Sequence, residues 1–104
     1  MTTLTVKDHN YRLEITGQGK PIVLLHGFTG SSENWSALRT QLEFDFQVIT
    51  IDILGHGKSD KPADFDAYRM ENVARDIIAL IGTLKIDKPH LLGYSMGGRL
   101  ALYT

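Results

Sequence analysis

The chain has 104 residues, 42% of them apolar and 22% charged, with a net charge of −1; that suits one small globular domain and leaves no room for a second. So even a balance gives no electrostatic reason to expect nucleic acid or an anionic membrane as partner. There is no cysteine, which excludes disulfides and thiolate-based metal or catalytic chemistry.

The opening Met1-Thr2-Thr3-Leu4-Thr5-Val6-Lys7-Asp8 lacks the basic segment and apolar run of a secretory signal. No stretch approaches the ~20 apolar residues that span a bilayer, so a soluble, cytoplasmic protein is expected. In chain order, Thr3 to Val6 and Tyr11 to Thr16 are β-prone runs separated by Lys7-Asp8-His9-Asn10, which predicts a hairpin. Gly17 to Pro21 reads as a loop. Ile22-Val23-Leu24-Leu25 is uninterrupted apolar, as a strand covered on both faces requires. Ser31 or Ser32 is able to cap a following helix, and Trp35, Leu38 and Leu42 give that helix one apolar face.

Gln47 to Ile51 is a second buried-type strand, followed by the glycine-rich stretch from Asp52 to Pro62, read as a long polar loop. From about Tyr68 to Leu84, Val73, Ile77, Leu80, Ile81 and Leu84 keep helical spacing, with Glu71, Asn72, Arg75 and Asp76 expected on the opposite, solvated side. Pro89 to Gly93 is a third strand, and Met96 onward reads as a helix. Strands alternating with helices predict an α/β fold with a mainly parallel sheet and helices on both faces.

The chemistry concentrates in Gly93-Tyr94-Ser95-Met96-Gly97, whose spacing is G-x-S-x-G between a predicted strand and a predicted helix. There a serine sits on a sharp turn that lifts its hydroxyl above the sheet edge. The glycines are needed because strand and helix backbones approach too closely for a Cβ. The helix N-terminus offers N–H groups to a developing oxyanion. A second donor has to come from another loop, and His26-Gly27-Phe28 after the first buried strand supplies the candidate. The oxyanion pair is thus the N–H groups of Phe28 and Met96. His26 reads either as a substrate contact or as a buried, hydrogen-bonded strand-end side chain. In Asp52-Ile53-Leu54-Gly55-His56-Gly57-Lys58-Ser59, Asp52 and Ser59 are expected to hold a glycine-shaped turn. His56 is read as a loop residue, His9 and His90 carry no functional reading, and Lys58, Lys61, Arg69 and Arg75 are solvated charges.

His26-Gly27-Phe28-Thr29-Gly30, Asp52 to Ser59 and Gly93 to Gly98 together resemble the α/β-hydrolase superfamily in order and spacing over essentially the whole chain. Within it, Gly30-Ser31-Ser32-Glu33-Asn34-Trp35 and Gly93-Tyr94-Ser95-Met96-Gly97-Gly98-Arg99-Leu100-Ala101 look like the 2-succinyl-6-hydroxy-2,4-cyclohexadiene-1-carboxylate synthases of menaquinone biosynthesis. That resemblance implies a lyase: the activated Ser95 helps abstract a proton, pyruvate is eliminated, and the ring product forms without a cofactor or metal. It also implies that Arg99 binds a carboxylate of the small-molecule substrate and that Tyr94 lines the same pocket. A carboxylic-ester hydrolase is the alternative within enzymes, and a non-catalytic hydrolase-like binding module the alternative outside them.

Family order is serine, acid, histidine, yet residues 96–104 contain no Asp, Glu or His. The expectation is therefore that 1–104 is the N-terminal portion of one α/β-hydrolase domain, lacking the later strands, the lid, and the triad acid and histidine, and inactive alone. The strand ending at Gly93 should then leave an unpaired apolar edge, favouring self-association or exchange of strands or helices between copies.

Overall fold

Five strands form one sheet in the computed structural model, which describes residues 2–6, 8–26, 35–63, 65–86, 89–93, 97, 100 and 104. β1 (Thr2–Val6) and β2 (His9–Thr16) form the predicted hairpin, but its turn is shorter than the sequence suggests. Val6 pairs with His9, leaving two residues to reverse the chain. Asp8 adopts φ 67°, a left-handed conformation that Asp tolerates better than most residues. His9 and Asn10 are thereby released from the turn and join the strand.

β3 (Lys20–Leu25) and β4 (Phe46–Ile51) are the two buried strands, and β5 (His90–Gly93) is the third. The sheet order is β1-β2-β4-β3-β5. β4, β3 and β5 run parallel, and β2 joins β4 antiparallel, so the hairpin extends a parallel block into a mixed sheet. Val23, Leu24 and Leu25 are all fully buried, because β3 has a strand on each side and cover on both faces. β5 lies at the margin: among the described residues no strand pairs its far side, and Leu92 stands 40% exposed there.

The register places Tyr11, Leu13, Ile49, Ile51, Val23 and Leu25 on one face, where they form the core with Val73, Ile77 and Leu80 of α2 (Met70–Thr83). Glu14 lies on the other face and pairs with Arg39 of α1 (Ser36–Leu42) at 2.8 Å. The two helices thus cover opposite faces. Trp35, Leu38 and Leu42 are half-buried and no residue of α1 is buried outright. The expected cap at Ser31 or Ser32 lies outside the described residues.

α2 starts later than its apolar spacing suggests. Phe65–Tyr68 forms a 3-10 turn, and the extended Arg69, ψ 138°, separates it from the helix. At the other end Lys85 takes φ 57°, its N–H bonds the Gly82 carbonyl, and the Ile86 N–H bonds that of Ile81. These paired bonds satisfy carbonyls that the last turn would otherwise leave unpartnered. No helix of the described residues is long and apolar enough to cross a membrane.

One residue of α2 contradicts the reading of its polar side. Asp76 is 3% exposed, packed among the core residues rather than solvated. Its Oδ2 accepts a hydrogen bond from the Tyr11 hydroxyl at 2.7 Å, and His9 Nδ1 lies 3.5 Å from the same oxygen. The His9 contact has ion-pair distance but no hydrogen-bond geometry. A carboxylate reaches this position because Tyr11, on the sheet face directed at α2, supplies the donor that burial demands. Burial raises the Tyr11 phenol above its ordinary pKa, and the hydrogen bond and charge of Asp76 raise it further.

Candidate active site

The candidate site is built at the carboxyl ends of β3 and β5. Gly93 pairs with Leu25, so the serine motif leaves the sheet level with the end of β3. Four residues later Gly97 is helical, and Leu100 is helical and 1% exposed within the core. A Cβ on Gly97 would lie 2.1 Å from the Leu25 carbonyl oxygen and 2.5 Å from that of His26. Only glycine fits, for the steric reason read from the sequence. The strand before the motif and the helical residues after it are both present.

His26 directly follows β3 and is 1% exposed. Its Nε2 accepts the backbone N–H of Ile53 at 2.9 Å. A backbone N–H can only donate, so Nε2 is unprotonated and the neutral ring carries its proton on Nδ1. The ring packs against His56 with centroids 5.1 Å apart, and His56 Nδ1 lies 3.1 Å from the Leu54 carbonyl oxygen. His26 is thus buried and hydrogen-bonded at the end of the strand.

The segment after β4 is a folded loop stitched to β2. Asp52 is 3% exposed, and its Oδ2 accepts the Lys58 N–H at 3.0 Å. The Ser59 hydroxyl donates to the Asp52 carbonyl at 2.5 Å and accepts the Arg12 N–H at 2.8 Å. Asp60 and Asn10 exchange a further pair of bonds, each 2.8 Å. Gly57 has φ 53°, and a Cβ there would come within 2.4 Å of the Asp52 carboxyl. These contacts give Asp52 and Ser59 the structural work expected of them. The loop is less polar than its composition suggests, since Ile53 and Leu54 turn inward at 3% and 1% exposure. Beside it opens a cavity of about 290 Å³, walled by Ile53, Leu54, His56, Tyr68, Val73 and Leu100. Gly55, φ 84°, lets the Tyr68 ring close against the backbone, where a Cβ would meet it at 2.7 Å.

Tyr94, Ser95, Met96, Arg99 and Phe28 lie outside the described residues. Among the described residues, the structure brings together Gly93, Gly97, Leu25, His26 and the Ile53–His56 segment. Lys58, Lys61, Arg69 and Arg75 are exposed as expected. The Tyr11–Asp76 bond was missed, although an acid three residues after Val73 and one before Ile77 breaks the polar-side pattern of α2. The His26–Ile53 bond has no sequence signal, because its donor is a backbone group. Among the described residues no cluster of three His, Cys, Asp or Glu could hold a metal ion.

A family model described as alpha/beta hydrolase fold matches residues 20–104. A protein of Bacillus subtilis (strain 168), provisionally named as a 2-succinyl-6-hydroxy-2,4-cyclohexadiene-1-carboxylate synthase, is 40% identical over 102 residues, covering 94% of this chain and 36% of its own. Epoxide hydrolase 4 of Mus musculus is 30% identical over 100 residues, 92% of this chain and 28% of that one. Among solved structures, an alpha/beta hydrolase fold protein from Burkholderia ambifaria superposes with a TM-score of 0.91 at 29% identity, over 97% of this chain and 37% of its own. The chain spans about a third of the length of the curated relatives it matches.

Proposed function

This chain belongs to the α/β-hydrolase fold family, and we propose that it carries the nucleophile segment of a serine-dependent enzyme of that family. Ser95 is the reactive hydroxyl, and the N–H groups of Phe28 and Met96 face the developing oxyanion. The reading is supported by one observation above all: the serine motif spans the interval between the end of β5 and Gly97, whose backbone lies against Leu25 and His26. The base that activates Ser95 is not among residues 96–104, so the activity is a property of the whole protein.

The reaction we infer is the elimination of pyruvate that forms 2-succinyl-6-hydroxy-2,4-cyclohexadiene-1-carboxylate, in line with the name of the Bacillus subtilis relative. Ser95 would relay the proton removed from the substrate, Arg99 would hold one carboxylate in a two-point contact, and Tyr94 would line the pocket. No cofactor enters this chemistry, and a cytoplasmic setting suits a chain without cysteine. The far side of β5 is the place where a second copy would associate.

Carboxylic-ester hydrolysis is the second reading. The mostly aliphatic wall of the 290 Å³ cavity suits an uncharged acyl or alkyl group better than a polycarboxylate. The whole protein, assayed in parallel for pyruvate release and for short-chain aryl ester cleavage, separates the two. Loss of the active arm in Ser95→Ala supports the serine; no turnover in either arm returns the protein to the non-catalytic binding modules.

A further inference from the structure

We propose that His26 is a positioning residue whose neutral ring braces the candidate site, and that its protonation releases the brace on the acid side of neutrality. The proposal rests on the active-site reading above for its catalytic consequence, but the brace itself is a property of the described residues. Three segments meet at His26. Its ring accepts the Ile53 N–H, which ties the end of β3 to the loop after β4. Its carbonyl oxygen lies where a Cβ of Gly97 would be 2.5 Å away, so the helix after Ser95 is seated on the same residue. Phe28 follows two positions later in the chain.

Adding a proton to Nε2 sets one donor against another. The Ile53 N–H cannot reverse its polarity, so the bond is lost and a buried amide is left without its acceptor. The new charge is also buried, at 1% exposure, which disfavours it further. The titratable groups of the described segments around the ring are His56, Asp52 and His90. His56 stacks at 5.1 Å with its Nδ1 at the Leu54 carbonyl, and a cation there would repel a second one. Asp52, adjacent to Ile53, turns its carboxyl to the Lys58 N–H. His90 of β5 sits beside Ile22 at the opposite end of the strand pair, and Gly97 presents only backbone. An unfolded histidine takes up its proton near pH 6.5. The contribution of the brace is therefore complete above that pH and is lost as the pH falls below it.

The test follows the Ile53 and Gly97 amides of the intact protein by NMR from pH 7.5 to 5, together with the ring nitrogens of His26. The native protein should show the Nδ1–H tautomer at neutral pH and one shared acid transition at both amides. His26→Gln places an amide oxygen where Nε2 was but cannot titrate, so the shared transition should vanish while the neutral-pH spectrum is kept. His56→Phe retains the ring contact without the second charge and should move the transition to higher pH, because a charged His56 opposes protonation of His26. With whichever substrate the parallel assay identifies, His26→Gln should extend the acid limb of kcat by about one pH unit with little change in KM. An Nε2–H tautomer in the native protein, an Ile53 amide indifferent to pH, or an unaltered transition in His26→Gln would each overturn the brace. The serine reading fails separately, through turnover that survives Ser95→Ala.

Discussion

Replacing Tyr11 by Phe removes one hydroxyl and keeps the ring in place in the core. The hydroxyl donates to Asp76 Oδ2 at 2.7 Å, and both residues are buried. A hydrogen bond to a charged acceptor contributes about 1.5–3 kcal/mol, and among the described residues the carboxyl left behind has His9, at 3.5 Å, to turn to. Tyr11→Phe should therefore lower the unfolding free energy in urea by ~2 kcal/mol at pH 7. The pH dependence gives the sharper test. Burial first, then the bond and charge of Asp76, hold the folded phenol protonated well above its ordinary range, whereas the unfolded phenol ionises near pH 10. The stabilisation is complete below that pH and declines by about 1.4 kcal/mol per unit above it. Since Phe does not titrate, the gap between native and variant should be constant from pH 7 to 9 and shrink by ~1.4 kcal/mol by pH 11. A gap that stays the same at high pH, or is absent at pH 7, would refute the buried Tyr11–Asp76 bond.

Gly97→Ala would press a methyl into the Leu25 and His26 carbonyls; a destabilisation of about 1–3 kcal/mol by urea unfolding and a rate loss beyond about 100-fold, from the displaced serine turn, are expected. Ser59→Ala removes both the Arg12 and the Asp52 bonds, and the same denaturation assay should register a loss of about 1–3 kcal/mol. Ile77→Ala opens the core beneath β2 and β4 and should cost about 2–5 kcal/mol with the midpoint, not the slope, of the urea curve changing. Leu92→Lys, on the exposed margin, should leave stability within about 0.5 kcal/mol while reducing any self-association seen by sedimentation.

The elements that could be read from sequence are those in which a single period dominates. Val73, Ile77 and Leu80 define α2, and Ile22 to Leu25 define a strand too apolar to sit anywhere but between two others. Gly93 to Gly97 was legible because its glycines answer a steric need, which Gly97 meets against Leu25 and His26. What escaped were matters decided across the fold. Asp76 lies on the flank of the apolar stripe, and whether it faces water or the core depends on Tyr11, which is 65 positions away in the chain. The start of β2 at His9 was hidden because turn-prone residues continue past the reversal, and only the pairing of Val6 with His9 fixes its length. Ile53 and Leu54 read as part of a polar loop because composition was averaged over a segment in which two side chains turn inward.

The pairing of Gly93 with Leu25 has an evolutionary corollary. Side chains alternate along a strand, so deleting one residue from β5 would carry Leu91 to the opposite surface and send the serine turn out of phase with its seat on β3. Change in this protein should therefore accumulate by exchange of letters along β5 and by gain or loss of letters only in the connections. A relative whose spacing differs between the end of β5 and its serine would need a compensating shift in β3, making that interval a ruler for sorting true homologues from chance matches.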